Sequence, residues 1–136
     1  MRRTLLPLLL ALALIAIAVA GWWLKRPAEA VAVACADPLA GCTFSHAGQP
    51  VRVRFSAVPV PLEAFALEVT AAHVRRVSAE FQMVGMDMGF NRYDLHGRDG
   101  AYSARVTLPV CVSGRHDWTL YLTLDDRRYA LPFSSR

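Results

Sequence analysis

Trp118-Thr119-Leu120-Tyr121-Leu122-Thr123-Leu124 decides the fold class. Large apolar side chains stand at every second position, with Thr or Tyr between them. A strand sends successive side chains to opposite faces, so this beat of two reads as a half-buried β-strand. The same beat recurs along the chain. Val51, Val53, Phe55 and Ala57 alternate with Arg52, Arg54 and Ser56, before Pro59 and Pro61 break the run. Phe65, Leu67 and Val69 form a second run, and Val77, Ala79, Phe81 and Met83 a third. Tyr102, Ala104, Val106 and Leu108 follow, and Tyr129, Leu131 and Phe133 close the chain. Turn signals separate the runs at Ala47-Gly48-Gln49-Pro50, Gly97-Arg98-Asp99-Gly100, Ser113-Gly114-Arg115 and Asp125-Asp126. Six or seven strands between residues 42 and 136 predict an all-β domain, an immunoglobulin-like antiparallel β-sandwich. A small closed barrel is the second architecture that fits. The shared phase predicts one core of Val53, Phe55, Leu67, Phe81, Val106, Trp118, Leu120, Leu122 and Leu131. The run Asp125-Asp126-Arg127-Arg128 reads as a solvated hairpin turn.

The chain before this domain follows a different rule. Residues 4–24 carry no charge and consist almost wholly of Leu, Ala, Ile, Val, Gly and Trp. As a helix they would extend about 30 Å, enough to cross a bilayer. Arg2 and Arg3 precede the run, and Trp22 and Trp23 close it where indole rings favour the lipid–water interface. This predicts a transmembrane signal anchor at 4–24, a linker at 25–41 and a domain at 42–136. A cleaved signal peptide competes, through the Ala-x-Ala pairs Ala18/Ala20 and Ala28/Ala30. Either reading exports the domain, and the N-terminal arginines favour a single-pass inner-membrane protein with its domain in the periplasm. Leu39-Ala40-Gly41-Cys42 has the letters of a lipobox but lies well beyond the apolar run.

The formal charge of +4 belongs mainly to the membrane end. Arg2, Arg3, Lys25 and Arg26 oppose Glu29 there, which leaves 11 basic against 10 acidic side chains in residues 31–136. A nearly neutral domain has no electrostatic footprint for nucleic acid.

Chemistry concentrates in Met83-Val84-Gly85-Met86-Asp87-Met88-Gly89, which holds every methionine except Met1. Thioethers are soft donors that select Cu(I). Met86 and Met88 are in phase with one another. Met83 is in phase with Phe81 and so with the core, where Met also serves as a filler, unless Gly85 brings it round. Three single disulfides can be drawn among Cys35, Cys42 and Cys111. A local Cys35–Cys42 bridge would suit an exported protein and leave Cys111 over. Cys111, between Val110 and Val112, reads as a buried small residue or as a thiolate ligand. His116 follows it by five positions and is the best-placed histidine to join it, with His46 next. No G-x-S-x-G, C-x-x-C, H-E-x-x-H or phosphate loop occurs, so an enzyme is not expected.

The Met83–Tyr93 block, followed by Leu108-Pro109-Val110-Cys111-Val112-Ser113-Gly114-Arg115-His116-Asp117-Trp118, resembles the FixH/YtkA-like proteins. These are small bacterial proteins with one membrane segment and a periplasmic β-sandwich. The resemblance implies copper handling and maturation of haem-copper oxidases, with a membrane oxidase or a copper-handling protein as partner. The expected function is binding or delivery of Cu(I) by Met86, Met88, Cys111 and His116, with Met83 as a further thioether. The competing expectation is a metal-free assembly module that grips a membrane complex through exposed aromatics such as Phe90 and Tyr93. A thiol-exchange role for Cys111 is the third.

Overall fold

The computed structural model describes residues 2–24, 29–86, 89, 91–110 and 114–136, with side chains in the first helix from residue 7 onward. One helix, α1 (Arg2–Leu24), precedes the strands. Its segment Pro7–Leu24 is long and apolar enough to cross a membrane, and none of that segment is buried against the rest of the chain.

Nine strands follow among the described residues. They are β1 (Val31–Ala32), β2 (Cys42–His46), β3 (Gln49–Phe55), β4 (Ala64–Ala71), β5 (Val77–Met83), β6 (Arg92–Arg98), β7 (Ala101–Thr107), β8 (Asp117–Leu124) and β9 (Arg127–Ser134). They pair in the order β1-β9-β8-β5-β6-β7-β4-β3-β2. The sheet is a curled half-barrel. β6 is its corner, since Arg92–Leu95 pair with β5 and His96–Arg98 pair with β7. A Cβ on Gly97 would lie 1.8 Å from the Ala101 carbonyl oxygen, so only glycine lets β6 and β7 close there.

Curling brings the two outer edges together through side chains. The Phe44 and Tyr129 ring centroids are 4.6 Å apart, and His46 Nδ1 lies 2.8 Å from the Tyr129 hydroxyl. A disulfide joins Cys35 to Cys42. Phe55 on β3 meets Phe133 on β9 at 5.1 Å, and Phe65 on β4 meets Phe81 on β5 at 6.2 Å. One core therefore takes side chains from both halves of the sheet. All nine residues expected in it are buried there. Each such Val, Leu or Phe contributes about 1.5–3 kcal/mol when fully buried. Trp118 also satisfies its indole N–H, which donates to Ser135 Oγ at 3.2 Å.

Three features depart from the expected layout. β1 lies inside the stretch read as linker and pairs parallel with β9, so the sheet is antiparallel at every pairing but this one. Val33 is buried and its N–H donates to the Ala130 carbonyl at 2.9 Å. Ordered pairing thus starts at Val31, before the expected boundary at residue 42. β6 was not expected, because only Leu95 of its seven residues is buried. The 125–128 turn does specific work. Asp125 Oδ1 accepts the backbone N–H groups of Arg75 and Arg76, and half-buried Arg128 pairs with Glu80 at 2.9 Å and lies over the Tyr121 ring.

The strands run between two unlike ends. At the hairpin end, two-residue turns at 47–48, 99–100 and 125–126 join β2 to β3, β6 to β7 and β8 to β9. Positive φ at Ala47 and Gly48, and at Asp99 and Gly100, marks the first two as type I′ turns. At the loop end, longer connections link β3 to β4, β5 to β6 and β7 to β8. The Cys35–Cys42 bridge also lies at that end, since Cys42 pairs with Val53 near the close of β3.

Candidate functional site

The loop end carries the donors singled out in the sequence. β5 delivers Met83 into the core, where it pairs in register with Trp118 and is 2% exposed. The chain then turns back at Val84-Gly85. Gly85 has φ 77° at the third position of this tight turn, a geometry of type II that favours glycine. The Met83 carbonyl accepts the Met86 N–H at 3.2 Å, and the two residues form an isolated bridge. The turn leaves Met86 on the outside, 39% exposed. Met83 is therefore a core residue, without the exposure that Met86 has.

The turn is pinned to the start of β8. The Val84 N–H donates to the Asp117 carbonyl at 3.2 Å. A Cβ on Gly85 would come 3.8 Å from Arg115 Nη1. Arg115 grips Asp117 with both ends of its fork, Nε to Oδ1 at 3.0 Å and Nη2 to Oδ2 at 2.6 Å. That side-chain hydrogen bond is the chief reason the Asp117 carboxyl titrates below its ordinary 3.8. His116 lies between these two residues, exposed, with its carbonyl accepting the Ser135 N–H at 2.9 Å.

The end of β7 comes to the same place. Leu108 is fully buried, and its carbonyl accepts the Leu62 N–H at 3.0 Å. Two residues on, Val110 is 54% exposed. The described residues on either side of 111–113 thus both stand at the loop end. Cys111 and Met88 themselves lie outside the described residues, as does Phe90. Of the five expected ligands, the fold brings the Met86 turn and the His116 segment to one end and buries Met83.

Other expected candidates fall elsewhere. His46 is at the hairpin end, bonded to Tyr129, and cannot join Met86. Cys42 is buried and bridged to Cys35, which removes the lipobox reading and leaves Cys111 outside that bridge. Tyr93 turns inward, with its hydroxyl donating to the Thr107 carbonyl at 2.9 Å, so it is not an exposed grip. Among the described residues, no three His, Cys, Asp or Glu side chains converge as a metal site.

Two features went unseen in the sequence. Leu39, Leu62, Val84 and Val110 are exposed at the loop end, and a groove of about 480 Å³ runs beside Leu39 and Val84 over Trp118, Phe133 and Pro59. At the hairpin end an open cleft of about 690 Å³ is lined by His46, Arg75, Arg76, Asp125, Asp126 and Arg127. Its arginines come from turns about fifty positions apart. The local signals were the doublets Arg75-Arg76 and Arg127-Arg128. No family model, curated protein or solved structure matches this chain.

Proposed function

We propose that this chain is a non-catalytic, single-pass inner-membrane protein whose periplasmic domain captures Cu(I) and passes it on. Its curled sheet is taken as a variant of the immunoglobulin-like sandwich, since both halves share one core. The observation that carries the copper reading is the exposed Met86 on a turn fixed to the strand that His116 precedes, with both flanks of Cys111 at the same end. Met86, Met88, Cys111 and His116 would hold the ion. Thioether, thiolate and imidazole suit a soft monovalent cation. Cargo that is to be handed over needs a site open to a partner, and Met86 meets that condition where Met83 does not. Leu62, Val84 and Val110 form an apolar rim on which a partner would dock. The resemblance to the FixH/YtkA-like proteins supports a haem-copper oxidase or a copper-handling protein as that partner.

Competition for Cu(I) between the full-length protein in detergent and a colorimetric chelator tests this. The double variant Met86→Leu/Met88→Leu should lose roughly tenfold or more of the affinity with an unchanged melting temperature. Copper affinity that survives the double variant, or no binding by the parent, overturns the copper reading. The apolar rim favours a second reading in that event: a metal-free assembly module that binds a membrane complex through Leu62, Val84 and Val110.

A further inference from the structure

We infer that the hairpin end is a docking surface for anionic phospholipid headgroups and that it aims the loop end away from the bilayer. The inference rests on the reading that α1 sits in the membrane. β1 runs parallel to β9, with Val31 opposite Tyr129, so the chain enters the domain from the hairpin end. Only residues 25–30 separate α1 from β1. Even fully extended they reach about 20–25 Å. β8 spans eight residues, or about 27 Å along the strand. The hairpin end therefore faces the membrane, and the Met86 turn stands a domain's length beyond it.

That end carries the cations such a surface needs. Arg75, Arg76, Arg98 and Arg127 are all exposed there. Among the described residues, none of the four is in an ion pair; the pairs use Arg54, Arg92, Arg115 and Arg128 instead. Three carboxylates share the end: Asp99, Asp125 and Asp126. Asp125 is already committed to the backbone N–H groups of Arg75 and Arg76, at 3.1 and 3.0 Å. The open cleft between Arg75, Arg76 and Arg127 has room for a phosphate, which guanidinium groups bind in a bidentate manner. By sequence the connecting segment carries Lys25, Arg26 and Glu29, a net charge of the same sign. The net excess is small, but the tether already holds the domain at the surface, so charge has only to orient it.

Hydrogen exchange of the full-length protein in lipid nanodiscs tests the dock. Discs of phosphatidylcholine alone are compared with discs that also contain phosphatidylglycerol. With the anionic lipid, amides in 72–76, 98–100 and 125–127 should exchange about fivefold more slowly, and high salt should remove the difference. Arg75→Gln/Arg76→Gln/Arg127→Gln should abolish it, since the backbone N–H groups that Asp125 accepts are kept. Arg105→Gln, on the exposed face of β7, should leave it intact. Equal exchange in the two lipids, with α1 protected in both, overturns the dock and spares the anchor. Unprotected α1 amides overturn the anchor and the dock together. Protection at 84–86 and 114–116 in place of the hairpin tips overturns the stated orientation.

Discussion

The two ends of the β-domain are built from the same nine strands and solve different problems. At the hairpin end the strands turn over in two residues, and polar tips satisfy one another, as Asp125 does with the backbone of Arg75 and Arg76. At the loop end the connections are longer, and they expose Leu62, Val84, Met86 and Val110 to solvent. Short turns leave little freedom for binding, whereas long loops on a rigid sheet are where binding groups concentrate. The difference implies that the loop end is stabilised by what lies beneath it. Trp118, Leu108 and Phe133 form the floor, and the Cys35–Cys42 bridge ties its edge.

The most direct way to break this picture is to remove the floor. Trp118→Ala would leave a cavity under the Met86 turn and forfeit the bond to Ser135 Oγ. The expected cost is about 3–5 kcal/mol, read as the shift in chemical denaturation midpoint. A cost under about 1 kcal/mol would mean that the loop end does not rest on this core. Cutting the bridge comes next. Cys35→Ser/Cys42→Ser frees a short loop, and chain-entropy arguments give about 2–3 kcal/mol for a loop of this length. The loss should appear as faster exchange near 34–42 before any change at the hairpin tips.

The sequence revealed the two ends unequally, for a physical reason. β8 was plain because Trp118, Leu120, Leu122 and Leu124 all face one core. β6 was hidden because a corner strand shares its neighbours between two halves and buries little of its own; Tyr93 and Leu95 were too few to set a beat. β1 is two residues long and cannot display a period at all. At the candidate site, phase alone placed Met83 with Phe81 in the core, and the outward turn at Gly85 explains why Met86 differs. The rim of Leu62, Val84 and Val110 had no signature, since lone apolar residues in loops are ordinary. The disulfide was one of three pairings until the fold set Cys42 at the edge beside Cys35.

The hairpin end can be strained where the loop end cannot. Gly97→Ala forces a methyl group into the Ala101 carbonyl oxygen, because β6 and β7 are already in contact at the corner. Overpacking of this kind costs about 1–3 kcal/mol. Gly114→Ala at the loop end has a positive φ of 66°, which Gly97 lacks, but nothing within 4 Å of the added carbon. It should therefore cost less than the corner substitution, although Gly97 needs no unusual φ. Equal losses in thermal melts would show that backbone strain, not the crowded corner, sets the cost.

The smallest expected effect separates the ends by the origin of their acidity. Asp117 at the loop end and Asp125 at the hairpin end both titrate below the ordinary 3.8. For Asp117 the leading cause is the side-chain hydrogen bond from Arg115; for Asp125 it is the backbone N–H of Arg76, followed by that of Arg75 after a smaller opposing effect of burial. A carboxyl depressed on folding contributes stability above its unfolded value and loses it as pH falls through the folded value. Both contributions should therefore be present near neutral pH and fade below about pH 4. Salt distinguishes them. An exposed ion pair is screened by salt, while a hydrogen bond to backbone N–H is much less so. Melting temperatures across this acid range, at low and high salt, provide the measurement. Asp117→Asn should flatten the acid limb at low salt and change little at high salt. Asp125→Asn should flatten it at both, because Asn keeps the positive φ of 52° at this turn without strain and removes only the charge. A response to salt that is the same for both variants would mean that the two ends hold their carboxylates by the same electrostatics after all.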